Sequence, residues 1–229
     1  MSAYPEKSHY TAEDLAAIIA LLRDPEKGCP WDKVQTHTSI RMNFLEEAYE
    51  AVDAIDLNDP ELMCEELGDV LMQVVFHAQM ENEQGHFNFA QVCDGVCRKL
   101  IDRHPHIFLG AQSIKDWDTL KNIEKGRVTL QDDLESVPLA LPALMRAAKL
   151  QKRAARGGVT VQAGADTVAA AAKAAQLCDD AEKEAAVGQM LFAAVALARS
   201  LGVDPEQALQ RRNAQFTAQP NSCQEAEQP

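Results

Sequence analysis

The chain has 229 residues, 46% of them apolar and only 5% aromatic, with 11 glycines and 10 prolines. That is enough to bury one large core or two small ones, and it argues against a turn-rich sandwich and for helices. The net charge of −13 excludes a protein that coats a nucleic acid polymer through phosphate contacts, but not one that holds a single phosphorylated small molecule through a metal. The acid is unevenly spread. Residues 1–128 carry 23 acidic and 12 basic side chains (net −11), and residues 129–229 carry 12 and 10 (net −2). The six cysteines (29, 64, 93, 97, 178 and 223) form no C-x-x-C pair, the N-terminus MSAYPEKSHY is polar, and no apolar run nears a membrane span. A reduced, cytoplasmic protein without a membrane partner is expected.

Thr11-Ala-Glu-Asp14 opens a first helix, 12–23, with Leu15, Ile18, Ile19 and Leu22 on one face. Asp24 to Pro30 breaks it, and 31–38 reads as an ordered loop. A second helix is predicted over 39–57. Asn58-Asp59-Pro60 then supplies a cap and a first-turn proline for a third, 60–84. Asn88 caps a fourth, 89–103, which Pro105 stops, and a short helix over 114–126 carries Trp117. Residues 128–137 read as a linker. Helices follow over 138–156, within the Ala-rich stretch 165–186, over 187–201 and from Asp204-Pro205 onward. No strand pattern of useful length occurs, so the fold class is all-α. The tail 220–229 is polar and expected to be disordered.

The chain repeats itself. Gly68, Leu71, Val75 and Ala78 recur as Gly188, Leu191, Val195 and Ala198, a constant 120 positions on. The next helix recurs at an offset of 116, with Asn88 on Asp204 and Gln91 on Gln207. The matching order of helix, cap and helix implies a duplication, giving one domain over 1–128 and a second copy over 129–219.

Chemistry concentrates in the first copy. Glu46-Glu47-Ala48-Tyr49-Glu50 lies on the second helix and Glu65-Glu66-Leu67-Gly68-Asp69 on the third. Residues three apart share a helix face, so Glu47 pairs with Glu50 and Glu66 with Asp69. A short turn makes the helices antiparallel neighbours, which converges four carboxylates. Packed carboxylates repel unless a cation lies between them, and an oxygen-only donor set suits Mg²⁺, or Mn²⁺. The competing reading is a solvated acidic face. Against it stands the apolar run Val70, Leu71, Val74, Val75 and Phe76 that follows directly.

These residues resemble the all-α nucleoside triphosphate pyrophosphohydrolases of the MazG type. The resemblance rests on E-E-x-x-E followed by E-x-x-D, and on the blocks Gly28-Cys-Pro-Trp-Asp-Lys33, Gln73-Val-Val-Phe76, Arg103-His-Pro-His-Ile-Phe108 and Leu141-Pro-Ala-Leu-Met-Arg146. It covers nearly the whole chain. It implies tandem MazG-like helical bundles that assemble four-helix cores through homodimerisation. It also implies Mg²⁺-dependent hydrolysis of a nucleoside triphosphate to monophosphate and pyrophosphate. Glu47, Glu50, Glu66 and Asp69 match the metal ligands, and Glu46 matches a glutamate that orients a ligand or the attacking water.

Lys99 and Arg103, one turn apart, are candidates to clamp phosphate opposite the metal. Trp31 and Trp117 are candidates to stack on a base. Lys121 and Lys125 share a face with Trp117, and Lys33 lies in the C-P-W-D-K block, so all three are candidate substrate contacts. His37 and His77 show no partner in sequence and read as structural. In the second copy Glu66 and Asp69 become Ala186 and Gln189, while Lys99 and Arg103 become Gln215 and Gln219. The second copy therefore reads as degenerate, without metal ligands. That loss keeps open an alternative, a catalytically weak or silent nucleotide-binding regulatory protein on the same fold.

Overall fold

Thr11 opens helix α1 (Ala12–Leu22) through a reciprocal box: its hydroxyl accepts from the Asp14 amide, and Asp14 accepts from the Thr11 amide. Asp14 is buried and also holds Tyr4 and Lys7, which ties the chain start to the helix. The structure, a computed structural model, describes residues 4–108, 126 and 129–218. They are helical, with no strand among the described residues, and divide into two compact units between residues 114 and 115.

In the first unit α1 is followed by a short 3₁₀ turn (Asp32–Val34), α2 (Arg41–Leu57), α3 (Pro60–Glu83), α4 (Phe89–Arg103) and the single turn α5 (Pro105–Phe108). Helix α3 is the spine, and α1, α2 and α4 all pack on it. Ile19, Ile40, Val75, Phe76 and Met80 form the core, with Leu15, Leu22, Met72 and Phe89 around them.

Two connections decide how α2 meets α3. Asn58 ends α2 in the left-handed region at φ 54°, which asparagine tolerates. Asp59 then caps α3 by accepting from the amides of Glu61 and Leu62 ahead of Pro60. The chain reverses in two residues, and α2 runs back along α3.

The loop before α2 is pinned by a buried cation. Arg23 makes a two-pronged pair with Glu83 (2.7 and 2.8 Å), donates to the carbonyls of Asp32 (2.7 Å) and Gln35 (3.2 Å), and lies over the Phe76 ring. Gly28 is required at the loop's entry, because a Cβ there would sit 2.4 Å from the carbonyl oxygens of Leu22 and Asp24.

The second unit holds α6 (Leu130–Glu135), α7 (Ala143–Arg156), α8 (Ala165–Leu177), α9 (Lys183–Ser200) and α10 (Pro205–Ala218). Its interior includes a buried amide. Gln151 is 1% exposed; it donates to the Phe192 carbonyl (2.8 Å) and accepts from Arg199 (3.3 Å).

Several boundaries differ from the sequence expectation. Helix α2 begins at Arg41 rather than residue 39, because Thr36 and Ser39 bond each other's backbone in a turn. The expected linker 128–137 contains α6, started by a Thr129–Asp132 capping box and anchored where Asp133 meets Arg153 and Arg156. Pro142 delays α7 to residue 143. The Ala-rich stretch breaks after Leu177, so α9 starts at Lys183 instead of 187. The helix expected over 114–126 falls almost wholly outside the described residues, as does the tail.

Arg23→Ala removes a buried cation that serves two backbone carbonyls and a carboxylate. Urea melts at pH 7 should show a loss of about 2 kcal/mol, below the value for a fully sealed pair because Glu83 keeps a third of its side chain in water. Arg23 holds the Glu83 carboxyl below its ordinary value. That contribution is present above the usual glutamate range and is lost as the pH falls through it, so the difference between wild type and variant should shrink at acid pH.

Candidate metal centre

The α2–α3 pairing brings acids together. Ala51 and Ala54 on α2 are buried, Ala54 completely, and such small side chains allow close approach. One turn before Ala51 stands Glu47, and across from it α3 offers Glu66 and Asp69. One carboxylate oxygen from each of Glu47, Glu66 and Asp69 lies within 4.8 Å of the others. All three residues are half-buried. Glu50 is exposed at the rim, but its charge bears on both Glu47 and Glu66.

The electrostatics are those of a site built for a cation. Burial raises the Glu47 carboxyl above its ordinary value, and Asp69 and Glu50 raise it further, against the Gln73 side-chain amide. Burial also raises Glu66, followed by Glu50, Glu65, Asp69 and Glu47. Glu66 Oε2 is sealed from solvent and has no hydrogen-bond partner, and nor has Gln73 Oε1, two turns from Glu66 on the same side of α3. A sealed carboxylate oxygen without a donor is costly, and a hard divalent ion satisfies it. The donor set fits Mg²⁺ or Mn²⁺, being all oxygen with no histidine or cysteine.

The other predicted residues fall into three groups. Glu46 is exposed on α2. Lys99 is half-buried and Arg103 buried on α4, which packs on α3; Lys99 forms no ion pair with the four acids. Trp31 is 57% exposed at the start of the 3₁₀ turn. Lys33 beside it donates to the Pro25 carbonyl at 3.3 Å, so its ammonium turns toward its own loop. Trp117, Lys121 and Lys125 lie outside the described residues.

Sequence reading missed a second constellation. His37 and His77, read as without partners, stack at 5.0 Å and share a hydrogen bond between their Nδ1 atoms at 2.7 Å. His37 Nε2 meets one oxygen of Glu81 and His86 Nδ1 the other, each at 2.7 Å. Only the i, i+4 spacing of His77 and Glu81 was visible in sequence.

Residues 35–108, which contain all four acids, match the model of the MazG nucleotide pyrophosphohydrolase domain. The chain is 42% identical over 218 residues to the nucleoside triphosphate pyrophosphohydrolase of Escherichia coli, covering 88% of this chain and 82% of the relative. It is 41% identical over 212 residues to the nucleoside triphosphate pyrophosphohydrolase/pyrophosphatase MazG of Thermotoga maritima, covering 89% and 82%. The chain belongs to the MazG family.

Membership extends beyond the matched segment, since both relatives align over more than four-fifths of this chain. The MazG domain match ends at Phe108. In the second unit α9 carries Ala185, Ala186 and Gln189. Among the described residues the carboxylate triad of α2 and α3 is the one metal-type cluster.

Without a divalent ion, ionising Glu47 and Glu66 sets like charges against each other. Their raised values mean that this contribution to stability is present at acid pH and is lost as the pH rises through them. At pH 7 in EDTA, Glu66→Gln should therefore melt above the wild type. Mg²⁺ should raise the wild-type melting temperature and leave that of the variant nearly unchanged. Equal responses of both proteins would mark the cluster as a solvated face.

Proposed function

We propose that this MazG chain hydrolyses nucleoside triphosphates to monophosphate and pyrophosphate at the α2–α3 carboxylates. Water oxygen bonds the α-phosphorus, the bond to the α,β-bridging oxygen breaks, and pyrophosphate leaves with that oxygen. The observation that carries the reading is the sealed, unpartnered Glu66 Oε2 within a triad of acids, in a chain whose relatives are named for this reaction.

Glu47, Glu50, Glu66 and Asp69 would hold the ion, Mg²⁺ in preference to Mn²⁺. Such an ion lowers the charge on phosphate oxygens and the pKa of a water beside it. The protein's own groups do the rest. Glu46 orients the attacking water from the rim. Lys99 and Arg103 on α4 stabilise charge as it grows on the leaving pyrophosphate. Trp31 offers an exposed ring for stacking, with Lys33 near it. Trp117, Lys121 and Lys125 are further substrate contacts.

The working unit we infer is a cytoplasmic homodimer. Helix α2 leaves Met42, Leu45, Tyr49, Val52 and Ile55 exposed beside the acids, and a second copy would cover them to complete a four-helix core. The domain over 129–219 would be a degenerate repeat, kept for packing after its ligands were lost.

Incubation with a nucleoside triphosphate and Mg²⁺ should release monophosphate and pyrophosphate in equal amounts. Glu50→Gln and Asp69→Asn should each cut turnover by about a hundredfold or more. Orthophosphate and diphosphate as products would overturn the reaction type. Tight nucleotide binding without turnover would instead identify a silent regulatory protein.

A further inference from the structure

Beside the carboxylates, a pocket of about 590 Å³ opens between α3, the start of α4 and the chain entering α2. That volume suits a small-molecule site. Phe44, Val74 and Val92 make apolar walls, and Phe87 stands at the mouth, 41% exposed. His77 and Glu81 form a polar corner. The Phe44 ring meets His77 edge-on at 5.9 Å, which holds the imidazole in place.

The spacing ties this pocket to the acids. His77 follows Asp69 by eight residues, about 12 Å of helix. On α4, which runs back along α3 after a short turn, Val92 precedes Lys99 by seven residues, about 10 Å. Val92, Lys99 and Arg103 lie on one stripe of α4 by their i, i+7, i+11 spacing. Both helices thus carry pocket residues toward one end and charged residues toward the other, at matched separations. A nucleoside triphosphate is built on the same plan, with a flat apolar base at one end and phosphates at the other.

The tautomer with a neutral His37 sets what the polar corner reads. Glu81 is an acceptor held by His37 and His86. His37 donates to it from Nε2, so a neutral His37 accepts at Nδ1, and His77 donates that shared proton from its own Nδ1. The His77 Nε2 atom is then a bare acceptor, with no partner among the described residues. Two acceptors at one edge call for a ligand edge that donates.

We propose that this pocket receives the nucleobase of the substrate, and that His77 with Glu81 selects bases carrying an exocyclic amino group. The proposal rests on the pyrophosphohydrolase reading of the neighbouring acids. His77 is on this view a binding residue and takes no part in proton transfer.

Steady-state kinetics on the full chain with Mg²⁺ test it, using CTP and UTP, which differ at the amino position. Wild type should favour CTP over UTP in KM by about fivefold, the value of one neutral hydrogen bond. His77→Phe keeps a ring against Phe44 while removing the acceptor; it should erase that preference. Phe87→Ala, at an exposed position, should raise KM for both substrates several-fold. Inorganic tripolyphosphate, which has no base, should inhibit wild type and both variants equally. Unchanged KM values in both variants, or a matching loss of tripolyphosphate inhibition, would overturn the pocket while leaving the enzyme reading intact. Absence of pyrophosphate release from any triphosphate by wild type would overturn the enzyme reading. The pocket is then decided by equilibrium binding of CMP, where equal affinity of wild type, His77→Phe and Phe87→Ala rejects it.

Discussion

Everything in the first unit turns on the approach of α2 to α3. Ala51 and Ala54 let the two backbones close on each other, and the two-residue reversal at Asn58 and Asp59 sets their register. Close packing is favourable where α2 presents only alanine. One turn away the same closeness forces Glu47 against Glu66 and Asp69. Attraction along most of the seam thus sustains a local repulsion that the helices, left to themselves, would relieve by separating. The Arg23 pair with Glu83 and the Ile19, Val75 and Met80 core hold the far end of α3. The seam cannot splay, and the acids stay poised.

How far this was legible in sequence follows from what each feature depends on. The acids were legible because i, i+3 spacing on a helix fixes a face, and a capped turn fixes the antiparallel partner. Helix starts at Thr11, Asp59 and Asn88 were legible because capping is local chemistry. Helix α6 was not, since six residues carry too little periodicity to stand out, and only the Thr129–Asp132 box marks it. The start of α2 was misplaced because Thr36 and Ser39 spend their hydroxyls on a turn before the helix. His37 and His77 are forty residues apart, and their stacking depends on where the loop before α2 is tied down. The tie is Arg23, whose reach to the carbonyls of Asp32 and Gln35 leaves no pattern in the sequence.

Buried polar groups are treated in two ways. Near the acids some lack partners, as at Glu66 Oε2 and Gln73 Oε1. In the second unit, Gln151 is sealed deeper and uses its amide at both ends, to Phe192 and Arg199. A satisfied interior amide fixes one packing of α7 on α9. An unsatisfied carboxylate waits for a ligand. The acids gathered on α2 and α3 also contribute to the charge imbalance between the two halves of the chain.

The reversal at Asn58 also bears on how the chain folds. Glu47 and Asp69 are separated by only twenty-two residues, all within one hairpin of helices. Contacts so close along the chain form early, because little loop entropy is lost in closing them. The acids are therefore brought together by local contacts, and their repulsion bears on forming that hairpin as well as on the finished protein.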